Sequence, residues 1–170
     1  MSGDLCLHRP VLLTTAHDAA EFDCGKPRLN EFLHRYALEN QKSGKSRTYV
    51  ATRGEKVAAF YSLAPGALAP VGVTERIAKG QGTQDIPVIL IARLAVNLEE
   101  QGKGLGGQML LDALRRAVEG ADVIGGRAVL VHAEDKEARD FYLHYGFEAA
   151  PTDDLHLLML VKDLRKTLGM

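Results

Sequence analysis

The segment Gln101 to Gly106 reads Gln-Gly-Lys-Gly-Leu-Gly and sits between an apolar run, Pro87 to Val96, and a helix-like run, Leu105 to Val118. A strand that enters a helix through a glycine-rich turn brings the turn's N–H groups and the positive end of the helix dipole to one place. Gly104 and Gly106 remove the side chains that would hold an anion away from the backbone. The expectation is an α/β unit around a site for a phosphate-bearing cofactor. Its candidate residues are Gln101, Gly102, Lys103, Gly104, Leu105 and Gly106. The plain alternative is a glycine-rich helix start with no ligand.

Two familiar loop patterns fit poorly. The Walker pattern needs a Ser or Thr after Gly-Lys to hold magnesium, and here Gly104 follows Lys103. The dinucleotide pattern is met on paper by Gly102, Gly104 and Gly107. It normally opens a βαβ fold and is followed by a second strand with an acidic residue. This loop lies past the middle of the chain and no such strand follows at the usual distance. A second motif lies downstream: residues 138 to 147 read Ala-Arg-Asp-Phe-Tyr-Leu-His-Tyr-Gly-Phe. A helix from about Lys136 to Tyr145 puts Ala138, Phe141, Tyr142 and Tyr145 on one stripe, and Gly146 is suited to end it. Taken alone, Tyr142 would be a core tyrosine at helical spacing.

The pattern along the chain alternates. Val11 to Leu13 is a short strand candidate. Leu29, Phe32, Leu33, Tyr36 and Ala37 mark an amphipathic helix, with Pro27 near its start and Gly44 beyond its end. Thr48 to Thr52 and Lys56 to Leu63 form two strands around a turn at Arg53-Gly54-Glu55. Residues 65 to 87, with three prolines and four glycines, form a long loop or weak helix. Then follow the long strand, the helix after the loop, a strand at Ala128 to His132, the Tyr142 helix and a last strand at Leu155 to Lys162. That order implies one α/β domain, residues 1–170, with helices on both faces of the sheet.

Composition narrows the class. The 170 residues carry a formal net charge of -1 with 46% hydrophobic residues, ordinary for a globular chain. The longest apolar runs, such as Val88 to Ala92, are too short to span a bilayer, so no membrane role is expected. The first residues, Met-Ser-Gly-Asp-Leu-Cys, lack the basic and apolar regions of a secretion signal. Cys6 and Cys24 form no Cys-x-x-Cys pair and suit free thiols in the cytoplasm. The six histidines show no ligand spacing, so no metal is expected.

Gln101, Gly104 and Gly106 match in register the Arg/Gln-x-x-Gly-x-Gly/Ala pyrophosphate loop of the GNAT N-acetyltransferase superfamily. Ala138, Tyr142, Gly146 and Phe147 resemble that superfamily's tyrosine helix. Segments shared by fewer members narrow the resemblance: Cys24-Gly25-Lys26-Pro27-Arg28-Leu29, Asn40-Gln41 through Ser46-Arg47-Thr48, Tyr61-Ser62-Leu63-Ala64, Ile86-Pro87-Val88 and Ala92-Arg93-Leu94-Ala95-Val96. These are similar to the tRNA-acetylating toxin branch of type II toxin–antitoxin systems. One position departs. Many superfamily members have Asn where this chain has Asp135, which can cap a helix but, when ionised, cannot donate a hydrogen bond.

The resemblance implies a GNAT fold, with a mixed central sheet flanked by helices. It also implies an acetyl-CoA-dependent enzyme that acetylates the α-amine of aminoacyl-tRNA, a ribbon–helix–helix antitoxin and a homodimer. The cofactor arm would lie along Leu94, Ala95 and Val96, with Asp135 nearby, and Tyr142 would serve as general acid. An α-amine has a pKa near ~7.7–8.0 against ~10.4 for lysine, so it needs less help from a base. Pro87 to Val96 contains no carboxylate, and Glu99 and Glu100 read as a solvated turn. Residues 26 to 56 hold eight cations against three carboxylates, net +5, leaving -6 for the rest. Lys42, Lys45 and Arg47 are the candidate RNA contacts, beside the alternative of an ordinary solvated face. Arg93, a cation in an apolar strand, is either a structural ion pair or a substrate contact. Other readings remain open: an acetyltransferase for a small-molecule or protein amine, or a non-catalytic acyl-CoA sensor.

Overall fold

The computed structural model describes residues 5–170, so the part of the secretion-signal reading that rests on Met1 to Asp4 lies outside the described residues. Seven strands form one mixed sheet in the order β1-β2-β3-β4-β5-β7-β6. The chain divides into two compact units, and β3, β4 and α4 each pass from one into the other.

The first unit holds the described residues up to Leu63 and Arg93–Ala113. Here β1 (Val11–Leu12) pairs antiparallel with β2 (Arg47–Arg53), and β2 pairs antiparallel with β3 (Lys56–Leu68). Gly54, at φ +59°, supplies the left-handed residue of the β2–β3 turn. Phe60 on β3 is fully buried. It meets Phe22 edge-on at 5.4 Å and stacks on Phe32 at 6.1 Å between ring centroids. Leu29, Leu33, Ala37, Val50, Val57 and Ala95 complete this core.

The expected amphipathic helix forms, but not as one uniform α-helix. It runs as α1 (Pro27–Glu31), a π-helical turn (Phe32–Tyr36) and α2 (Ala37–Lys42). A π turn holds more residues than an α turn, so residues beyond it are rotated from their α-helical positions. Tyr36, expected on the apolar stripe, is 47% exposed, while Ala37 takes the core position.

The second unit holds Ala64–Ala92 and Leu114–Met170. β4 (Ile86–Val96) pairs parallel with β5 (Ala128–His132) from Val88 to Ile91. β5 pairs antiparallel with β7 (Asp153–Leu160), which pairs antiparallel with β6 (Glu148–Ala150). The helices are α3 (Glu75–Ala78), the long α4 (Leu105–Ile124), α5 (Lys136–His144) and α6 (Val161–Leu168). Ile77, Ile86, Val88, Ala128, Leu130 and Leu158 pack as the core of this unit. The Arg127 guanidinium donates to the carbonyls of Ile77, Arg76 and Lys79, tying α3 down. No helix among the described residues is long and apolar enough to cross a membrane.

Three expectations change. β3 runs on to Leu68, through Pro65 and Gly66, where a loop was expected. A Cβ on Gly66 would lie 3.2 Å from Val88 Cγ2, so the glycine admits a close neighbour inside a strand. The last strand starts earlier and ends at Leu160, because β7 is half of a hairpin with β6 and α6 follows directly. Finally, α4 extends past Val118 to Ile124.

Phe60→Ala should destabilise the fold by about 3–5 kcal/mol, the usual cost of emptying an aromatic core site. Equilibrium urea unfolding, read as a shift in midpoint at constant slope, measures this.

Candidate active site

Residues Gln101 to Gly106, Leu94 to Val96, Arg93, Lys42, Lys45 and Arg47 fall in the first unit; Tyr142 and Asp135 fall in the second.

In the first unit, β4 continues to Val96, past its register with β5. A 3₁₀ turn, Leu98–Glu100, leads into the glycine loop. Gly102 and Gly104 adopt φ +78° and +81°, and a Cβ built on either meets nothing within 4 Å. Their backbone is open, and a side chain at either position would be strained. The first intrahelical bond of α4 runs from the N–H of Gln108 to the carbonyl of Gly104. Helix geometry therefore leaves the N–H groups of Leu105, Gly106 and Gly107 without intrahelical acceptors. Leu105 is buried and anchors this first turn. Lys103 is exposed, with Nζ 3.7 Å from Glu100 Oε1. The Gln101 amide points back into the protein, donating to the carbonyls of Val96 at 2.9 Å and Cys24 at 3.1 Å.

Glu100 is not a solvated turn residue. It is buried and receives Arg53 Nε and Nη2, the latter at 3.1 Å. Arg53 Nη1 also donates to the carbonyl of Leu5. The hydrogen bond from Arg53 holds the Glu100 carboxyl below the ordinary glutamate value; burial opposes this, and the charges of Arg53 and Lys103 add to it. Sequence reading missed this pair because its partners lie 47 residues apart.

Arg93 lies on the β4 face shared with Ala95, its guanidinium carbon 3.7 Å from the centroid of the Phe32 ring. The packing is a cation–π contact, a role the sequence did not suggest. Lys42, at the end of α2, Lys45, in the following turn, and Arg47, at the start of β2, are all exposed. No ion pair holds them among the described residues. Elsewhere in the basic segment Arg35 pairs with Glu31, Lys56 with Glu21 and Arg53 with Glu100. The uncompensated charge is thus concentrated near the α2–β2 turn.

In the second unit, Asp135 caps α5: its Oδ1 accepts the N–H of Ala138 at 2.9 Å. The other end closes as a Schellman motif. The N–H of Gly146 reaches the carbonyl of Leu143, and that of Phe147 reaches the carbonyl of Tyr142. Gly146 takes the left-handed conformation at φ +95°. Phe147 meets the Tyr142 ring edge-on at 5.7 Å, and Phe141 meets it at 5.2 Å. The Gly-Phe pair thus fixes the pose of the tyrosine. Tyr142 is buried, and desolvation pushes its phenol well above the ordinary tyrosine value. It stays protonated at every physiological pH and is suited to donate a proton. The described residues bring together no group of three metal-ligating side chains.

The depressed Glu100 value sets a direction for stability. Its contribution is complete above the unfolded glutamate pKa, about 4.3. It is lost as pH falls through the lower folded value. Urea midpoints measured from pH 7 to pH 3 should show this acid loss in the wild type and a smaller one in Glu100→Gln.

The model of the acetyltransferase (GNAT) domain matches residues 44–149. The tRNA-acetylating toxin of Mycobacterium tuberculosis (strain ATCC 25618 / H37Rv) is 45% identical over 160 residues, covering 94% of this chain and 96% of the relative. Among solved structures, AtaT complexed with acetyl-methionyl-tRNAfMet aligns with a TM-score of 0.87 at 22% identity, over 95% of this chain and 99% of that one. An AtaT variant bound to the C-terminus of the antitoxin AtaR and acetyl-CoA aligns with a TM-score of 0.81 at 24% identity, over 95% and 98%. The two structures share the fold, and the domain match with the nearly full-length relative establishes the lineage: this chain belongs to the GNAT acetyltransferase family.

Proposed function

We propose that this chain is a toxin that transfers acetyl from acetyl-CoA to the α-amine of an aminoacyl-tRNA and so blocks translation. The observation that carries this reading is the 45% identity to a tRNA-acetylating toxin over nearly the whole of both chains. The chain works as a single domain in the cytoplasm.

The open backbone at Gly102 and Gly104 and the N–H groups of Leu105 and Gly106 hold the pyrophosphate, with Lys103 adding charge. Leu94, Ala95 and Val96 offer strand hydrogen-bonding groups to the arm, save the Val96 carbonyl, which Gln101 already occupies. Bound there, acetyl-CoA supplies an activated thioester carbonyl. The N–H of Leu94 or of Ala95 is the chain's donor toward that carbonyl oxygen. Asp135 supports the tyrosine helix as its cap. Tyr142 supplies a proton toward the departing sulfur. Because burial raises its pKa, Tyr142 gives up its proton only as another arrives, and the net movement is from the attacking nitrogen to the sulfur. Glu100 stays ionised between Arg53 and Lys103, so it is a poor base. An acceptor that is already largely neutral, such as an α-amine near pKa ~7.7–8.0, fits that chemistry better than a lysine.

Lys42, Lys45 and Arg47 present exposed charge for the RNA backbone, and Arg93 holds the acceptor side of β4 against Phe32. A homodimer would offer two such surfaces, and a ribbon–helix–helix antitoxin would inhibit by covering one. AtaT, which has the same fold, is known with acetyl-methionyl-tRNAfMet and, as a variant, with an antitoxin segment and acetyl-CoA, which supports a tRNA and an antitoxin as partners here.

Incubation with labelled acetyl-CoA and charged total tRNA tests the reading. Label should enter an aminoacyl-tRNA fraction and vanish after ribonuclease treatment of the acceptor pool. Label that survives in protein or small amines would move the assignment to another acceptor class.

Tyr142→Phe keeps the packing against Phe147 and removes the proton. Single-turnover rates should fall roughly 10²–10⁴-fold with acetyl-CoA affinity nearly unchanged. Reversal of Lys42, Lys45 and Arg47 to Glu should leave acetyl-CoA affinity intact while weakening charged-tRNA binding. The log–log salt slope should flatten by roughly 0.7–0.9 per lost phosphate contact, as measured by titration at several salt concentrations.

A further inference from the structure

Three hydrogen bonds join two segments that are far apart in sequence and have separate roles in the reading above, and a fourth braces one of them from within. The Gln101 amide nitrogen donates to the carbonyls of Val96 and Cys24. The N–H of Leu98 donates to the carbonyl of Asp23 at 2.8 Å. Asn97 Oδ1 accepts the N–H of Asp23 at 3.0 Å. On one side is the turn from β4 into the glycine loop; on the other is Asp23-Cys24-Gly25, the entry to α1. That entry is itself shaped for the contact. The Asp23 carboxylate accepts from the N–H of Gly25 and from Asn30, and the N–H of Cys24 donates to Asn30 Oδ1. Gly25 turns the chain at φ +86°, a conformation other residues adopt only with strain.

A carboxamide nitrogen carries two hydrogens. Both of those on Gln101 are directed at carbonyls of the protein, and none is left for a phosphate. We propose that Gln101 and Asn97 are positioning residues rather than ligands. They grip the backbone of Asp23 and Cys24 and thereby hold the glycine loop in its anion-binding shape. The function of the Cys24-Gly25 pair then belongs to the donor site, although α1 begins the basic segment. This proposal rests on the reading of residues 101–106 as the acetyl-CoA loop.

Two measurements on Gln101→Leu, Gln101→Glu and Gln101→Arg test it. The first is amide hydrogen exchange of Asp23 and Leu98 in protein without acetyl-CoA, which reports local opening. The second is acetyl-CoA affinity by calorimetry. Leu and Glu cannot donate at this position, whereas Arg can. Exchange at both amides should accelerate about tenfold in the Leu and Glu variants, and acetyl-CoA affinity should fall by a similar factor, the scale of one or two lost hydrogen bonds. The Arg variant should stay within about threefold of wild type in both. Unchanged exchange in Gln101→Leu would overturn the proposal. With affinity lost it would make Gln101 a direct ligand, and with affinity kept it would leave the side chain without a role. If wild-type protein itself fails to bind acetyl-CoA, the donor-site reading falls, while the exchange data still decide whether Gln101 and Asn97 hold the turn.

Discussion

The first three N–H groups of α4 have no intrahelical acceptors, and the residues just before them are arranged around that deficit. Leu105 fixes the helix start by burying its side chain. Gly102 and Gly104 expose backbone where any other residue would add strain. Glu100, the nearest carboxylate on the incoming turn, is buried and bound to Arg53. The guanidinium thus neutralises a carboxylate that would otherwise stand uncompensated just before the glycine loop.

The tyrosine helix follows the same economy of local rules. Asp135 satisfies the front of α5, and Gly146 with Phe147 satisfies the back. Between them Tyr142 is desolvated, and desolvation alone accounts for the rise in its pKa. The phenol retains its proton through burial rather than through any charged neighbour.

Local features were the most legible in sequence. The glycine loop, the Tyr142 helix with its cap and stop, the basic segment and the β5 strand all depend on residues within a turn or two of one another. What escaped reading depends on partners distant in sequence. Glu100 looked solvated because Arg53 lies 47 residues earlier. The contact of Arg93 with Phe32 was hidden because Phe32 lies on another element. The continuation of β3 through Pro65 and Gly66 needed β4 alongside it. The π turn at Phe32–Tyr36 preserved apolar residues at spacings an α-helix would also use, so the sequence pattern does not separate the two. β6 is three residues, Glu-Ala-Ala, with little strand character of its own, and exists because β7 pairs with it.

The Schellman ending of α5 bears on how such chains are recognised. Gly146 is required by a backbone conformation and Phe147 by an aromatic contact, and neither demand involves acetyl transfer. A descendant that lost its hydroxyl by replacing Tyr142 with Phe would keep the same helix stop, the same ring contact and the same Gly-Phe signature. The motif therefore diagnoses a ring held in a given pose. Whether that ring still carries a transferable proton is recorded by one oxygen atom, which could be lost without disturbing the surrounding fold.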